Sequence, residues 1–169
     1  MIPVILKAMT AHAGHARMNE YGCGALISLA GNDASQLTIA AAGAIPVILK
    51  AMAAHVGHAG VNESGCRALS NLVGTNLTGN AANHVTICKA GAIPVILKAI
   101  TAHAGHAGVN EFACSALVNI SMNVANKVTI IAAGAIPVIL KAMKAMPAMR
   151  VYVGLAAWPK QIIKKLLSC

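Results

Sequence analysis

Gly43-Ala44-Ile45-Pro46-Val47-Ile48-Leu49-Lys50-Ala51 decides how this chain is read, because its core recurs. Pro-Val-Ile-Leu-Lys-Ala begins at Pro3, Pro46, Pro94 and Pro137, at intervals of 43, 48 and 43 residues. Other landmarks keep step: His12, His55 and His103; Glu20, Glu63 and Glu111; Leu26, Leu69 and Leu117. A fixed period of this length is the signature of stacked repeats, each unable to bury its apolar face alone. The longer middle interval falls between Asn71 and Asn83, around Gly74-Thr75-Asn76-Leu77-Thr78-Gly79. It lengthens a loop and leaves the helices intact.

Each unit reads as three helices. The first is short, for example Val85 to Ala90 or Val128 to Ala133, with Ser35, Asn83 or Asn126 before it as the expected N-cap. It ends at Gly43, Gly91 or Gly134, and Pro46, Pro94 or Pro137 follows in the first turn of the next helix. That second helix runs from Pro46 to about His55 and is apolar nearly all round, as a helix sandwiched in a stack should be. Lys7, Lys50, Lys98 and Lys141 mark its exposed stripe, and Gly14, Gly57 and Gly105 are the expected stops. The third helix, Asn62 to Leu72, buries Cys66, Leu69 and Leu72 or Val73 on one stripe and turns Glu63, Arg67 and Asn71 outward.

Composition agrees. Apolar residues are 57% of the chain and charged ones 10%, which excludes disorder. No stretch offers the roughly 20 apolar residues of a membrane span, because Gly43, Pro46 and Lys50 interrupt the longest. The first residues lack the order of features of a signal peptide. Cys23, Cys66 and Cys114 recur inside the apolar stripe, as packing residues in a reducing compartment. The expected location is therefore the cytoplasm, with the nucleus second. The formal charge is +9, yet aromatic residues for base stacking are 2%, so an acidic protein surface is expected and nucleic acid is not.

At this point the units resemble the armadillo repeat family. The residues that carry the likeness are Gly43-Ala44-Ile45-Pro46, Gly91-Ala92-Ile93-Pro94, Ala68-Leu69-Ser70-Asn71-Leu72 and Ala116-Leu117-Val118-Asn119-Ile120. HEAT repeats, the near neighbour, lack the short first helix. The resemblance implies an all-α fold, a right-handed α-solenoid (an alpha-alpha superhelix) of three-helix units. The units fall at about 1–33, 34–80, 81–124 and a partial 125–147, followed by a divergent tail, 148–169.

The resemblance also implies a function: a protein-interaction scaffold whose third helices line a concave face. There the Asn of Ala-Leu-x-Asn-Leu hydrogen-bonds an extended or helical partner segment. That role falls on Asn71 and Asn119, with Ser28 in the first unit. Glu63, Arg67, Glu111 and Ser115 complete the expected groove. The family's import receptors carry a Trp four residues before this Asn, where this chain has Gly24, Arg67 and Ser115. Nuclear-localisation peptides are therefore not expected as ligands.

Other chemistry is thin. No nucleophile elbow or phosphate loop occurs, and Glu20, Glu63 and Glu111 are repeat copies rather than a converging pair, so no enzyme activity is expected. No cofactor or metal is expected either. His12/His15, His55/His58 and His103/His106 form a ladder, but a pair is half of a zinc site and successive pairs lie about 10 Å apart. A weaker reading makes this ladder a pH or metal sensor. Protonating every His adds seven positive charges, six of them on this ladder, where like charges align. Another reading makes the chain a structural slice of a larger armadillo-containing protein, with no ligand of its own. The tail residues Pro159 to Leu167 are basic and amphipathic, with Ile162, Ile163, Leu166 and Leu167 on one face. That face closes the open end of the stack or, alternatively, meets an anionic membrane surface.

Overall fold

The computed structural model describes residues 1–76, 79–145 and 164. Among these the chain is all-helical, with ten helices and no strand. Second helices of the repeat are α1 (Ile2–Ala11), α4 (Ala44–Ala54), α7 (Ala92–Ala102) and α10 (Ala135–Ala145). Third helices are α2 (Ala16–Leu29), α5 (Ala59–Val73) and α8 (Ala107–Ile120); short first helices are α3 (Asp33–Ala41), α6 (Ala81–Lys89) and α9 (Val124–Ala132). Like packs on like: α1, α4, α7 and α10 lie side by side in one layer, and α2, α5 and α8 in a second. The apolar stripes meet between the layers, where Met9, Leu26, Ile48, Met52, Leu69, Ile96 and Ile100 are buried.

The corners follow from residue chemistry. Each short helix meets the following second helix at 71°, 69° or 68°. The turn passes through Gly43, Gly91 and Gly134, whose φ of 87°, 80° and 77° disfavour any side chain. The sequence expectation for the second corner fails. Gly14, Gly57 and Gly105 do not take positive φ. Instead His12, His55 and His103 are the C-caps, their N–H groups closing on Ala8, Ala51 and Ala99.

A second correction concerns the short helices, which start a turn earlier than expected. Asn32, Asn80 and Asn123 hold the N-cap position. Ser35, Asn83 and Asn126 sit inside the first turn, and the two asparagines are buried for another purpose. Asn83 Nδ2 donates to the Leu72 carbonyl at 2.7 Å, and Asn126 Nδ2 donates to that of His84 at 2.7 Å. They tie each short helix to the preceding unit, which an exposed cap cannot do.

The corner between second and third helices is built from a repeated set. Asn19, Asn62 and Asn110 are buried. Asn62 Nδ2 reaches the carbonyls of His55 (2.9 Å), Val56 (3.3 Å) and His58 (3.0 Å). Asn19 and Asn110 repeat this within their units. His15, His58 and His106 are N-caps whose Nδ1 accepts from the N–H of Met18, Val61 and Val109. An accepting Nδ1 leaves the neutral ring's proton on Nε2. Across units, His55 Nε2 lies 2.7 Å from the Ala13 carbonyl, and His103 Nε2 lies 2.8 Å from that of Val56. The histidine ladder is thus mortar between repeats. Among the described residues no three His, Cys, Asp or Glu side chains gather as metal ligands.

Packing is matched pair by pair. A Cβ on Gly65 falls 2.5 Å from Met52 Cγ, and one on Gly22 stands equally close to Met9 Cγ. In the third unit both partners change, to Ala113 and Ile100. The shorter branched chain leaves room for the extra methyl. The three recurring thiols are buried as expected, and burial pushes Cys23 and Cys114 up to about 12 and Cys66 higher still. No single helix among the described residues is long and apolar enough to cross a membrane. The tail expectations for 148–169, Lys164 apart, concern residues outside those described.

Candidate partner-binding face

The outward side of α2, α5 and α8 presents four rows, one residue per helix in each. They read Arg17, Gly60, Gly108; Tyr21, Ser64, Phe112; Gly24, Arg67, Ser115; and Ser28, Asn71, Asn119. The spacing along each helix (three or four residues) keeps them on one stripe.

The expected amide ladder is not uniform. Asn119 is committed inward, its Nδ2 donating to the Ser70 carbonyl (3.2 Å) and to Ser70 Oγ (3.1 Å). Ser115 Oγ lies 2.9 Å from Ser70 Oγ. These bonds join α5 to α8, so Ser115 and Asn119 serve the stack first. Ser28 is exposed but its Oγ donates to the Gly24 carbonyl one turn back, at 3.2 Å. Asn71, half-buried, makes no hydrogen bond to a described residue through its side chain. It alone of the three keeps a donor pair and an acceptor for a visiting peptide.

The acidic residues serve the joints. The Glu20 carboxylate lies over Gly60 in the first turn of the next third helix, within 2.6 Å of where a Cβ would stand. Glu63 sits likewise over Gly108, with Oε2 3.8 Å from His106 Nδ1. A carboxylate at a helix N-terminus meets unpaired N–H groups and the positive end of the dipole. Glu111, the third copy, is exposed and has no following third helix among the described residues.

Arg67, exposed on α5, reaches across to the next third helix. It does not pair with Glu63; its guanidinium lies over the Phe112 ring, 5.2 Å from the centroid. Arg17 repeats the motif on α2, 5.8 Å from the centroid of Tyr21 and donating to its hydroxyl at 3.2 Å. Tyr21 and Phe112 occupy the same row, and they are the only Phe, Tyr or Trp among the described residues. Sequence reasoning missed both. Aligning Tyr21, Ser64 and Phe112 across repeats would have found them.

Among the described residues, the lysines of the repeated motif lie elsewhere. Lys7, Lys50, Lys98 and Lys141 are all exposed, on the second-helix layer. The acidic-partner expectation drew on total charge, and on the third-helix face it rests on Arg17 and Arg67 alone.

One buried titratable group stands apart. His84 on α6 is fully buried, and among the described residues neither ring nitrogen has a partner in good hydrogen-bonding geometry, the Ile120 backbone being the nearest approach. Burial lowers its pKa from the ordinary value, and the backbone of Ile120 pulls the other way. The equivalent positions hold Gln36 and Lys127.

No family model and no curated protein matches the chain. Among solved structures, it is similar to the crystal structure of an engineered protein, a Northeast Structural Genomics Consortium target, with a TM-score of 0.78 at 22% identity. The match covers 98% of this chain, which spans 62% of that longer one. At that identity the likeness shows the fold alone.

Proposed function

We propose that the chain is an armadillo-type α-solenoid, a right-handed superhelix whose third helices bind a partner polypeptide along their outward, concave face. The observation that carries the reading is the pairing of Arg17 with Tyr21 and of Arg67 with Phe112. The four residues stand on the face where that family holds its ligands. Tyr and Arg are enriched where partners anchor, because they contribute large contact area with directional donors. The ring beside Arg67 leaves its N–H groups free for a carboxylate, whereas Arg17 spends one on the Tyr21 hydroxyl. Asn71 supplies an amide that can hold one peptide unit whatever its side chain. The partner is thus an extended segment with an acidic residue opposite Arg67.

Selection from a random dodecapeptide display library tests this. Selected peptides carry an acidic residue at one position, and their affinity falls at least about tenfold on Arg67→Ala plus Asn71→Ala, a loss of about 1.4 kcal/mol. Peptides that ignore those changes and are lost on Lys50→Glu plus Lys98→Glu overturn the reading.

A further inference from the structure

Among the described residues, the unit that ends with α10 leaves one face of the stack bare. Leu6, Leu49, Leu97 and Leu140 hold the same place in Pro-Val-Ile-Leu-Lys-Ala. The first three are 7%, 5% and 7% exposed because other helices cover them, whereas Leu140 is 40% exposed. On α9, Val124, Val128 and Ile131 form a single stripe at helical spacing, and all are exposed, Val128 to 64%. Glu111 is exposed beside this end, whereas Glu20 and Glu63 each lie over the next third helix. The bare surface is therefore an apolar strip with one unmatched carboxylate.

Residues 146–169 follow directly from α10. They outnumber a four-residue corner plus a third helix of 14 or 15 residues. They do not spell a further repeat. Met146, Met149 and Val153 stand where His103, His106 and Asn110 make the corner, and Lys160 stands where Leu117 is buried. Their sequence has the pattern of a cover instead. At helical spacing Ile162, Ile163, Leu166 and Leu167 fall on one side, and Lys160, Lys164 and Lys165 carry the charge opposite to that of Glu111. A solenoid end needs a cover with a polar outer face, and a tethered segment meets it at high effective concentration.

We propose that residues 159–167 close the stack in cis, their apolar side over Val128, Ile131 and Leu140 and a lysine toward Glu111. That segment then takes the place of a fourth third helix.

Hydrogen exchange on the full chain tests the cap, at two protein concentrations about fiftyfold apart, against a synthetic peptide of residues 157–169. The amides of residues 160–167 exchange at least about tenfold more slowly than in the free peptide, equally at both concentrations. Val128→Glu on the exposed stripe abolishes that protection while α5 amides stay protected, and Glu111→Gln weakens it. Free-peptide exchange rates in the unmodified chain overturn the proposal. So does protection that grows with concentration, which marks a second copy, or protection that needs phosphatidylserine vesicles, which marks a membrane surface.

Discussion

Replacing Asn62 with alanine removes one buried amide that serves three carbonyls, those of His55, Val56 and His58. Each carbonyl keeps another donor. His58 N–H still reaches His55, Asn62 N–H still reaches His58, and His103 Nε2 still reaches Val56. No acceptor is orphaned outright, so the loss is that of two to three ordinary hydrogen bonds, about 2 kcal/mol. For a chain of this length that lowers Tm by about 4–8 °C. Asn62→Asp has nearly the same shape but presents an acceptor to three acceptors and buries a charge, so it destabilises more than alanine. Thermal unfolding followed by circular dichroism gives both values, with Asn71→Ala as the control expected to stay within about 0.5 kcal/mol. An alanine variant as stable as the parent, or an aspartate variant no worse than alanine, refutes the corner's role.

Three further outcomes follow from the packing and titration. Gly65→Ala destabilises by about 1 kcal/mol net, overpacking against Met52 outweighing the gain in helix propensity, and Met52→Ile in the same chain recovers most of it; additive effects of the two changes contradict the matched-pair account. His84 has a folded pKa below its ordinary 6.5, so its contribution to stability is complete above that pH and declines as pH falls through the interval beneath it. His84→Gln should flatten the fall in Tm between pH 7.5 and 5, and an unchanged slope would remove His84 as its cause. On a Cys169→Ser background the buried Cys23, Cys66 and Cys114 should resist a thiol reagent at pH 8 while half-buried Cys88 reacts first, since raised thiol pKa values leave almost no thiolate; rapid labelling of the buried three in the folded chain would count against their packing.

Much of the architecture was legible in the sequence because the repeat makes every apolar landmark appear several times. Pro46 after Gly43 marked a real corner, and Lys50 a truly exposed stripe. The errors came where two residue types serve two purposes. Asn80 and Asn83 both look like caps, and only the packing of α6 on α5 decides which is buried. His55 and His58 look like a surface pair or half a metal site, because their partners are backbone groups, the Ala13 carbonyl of another repeat and the Val61 N–H. The candidate face was half legible. Asn71 emerged from its motif, but Asn119 shares that motif and is consumed by Ser70, a residue unremarkable in sequence. The Arg67–Phe112 pair joins two repeats, so no local pattern announces it.

The central claim, that the third-helix face takes a polypeptide partner, is tested most directly by mapping where a selected dodecapeptide lands. In a two-dimensional NMR titration the account predicts that the Asn71 side-chain amide and the Arg67 Nε–H shift first, with Tyr21 and Phe112 ring signals following. Shifts confined to Lys7, Lys50, Lys98 and Lys141, with the Asn71 and Arg67 signals still, would contradict it.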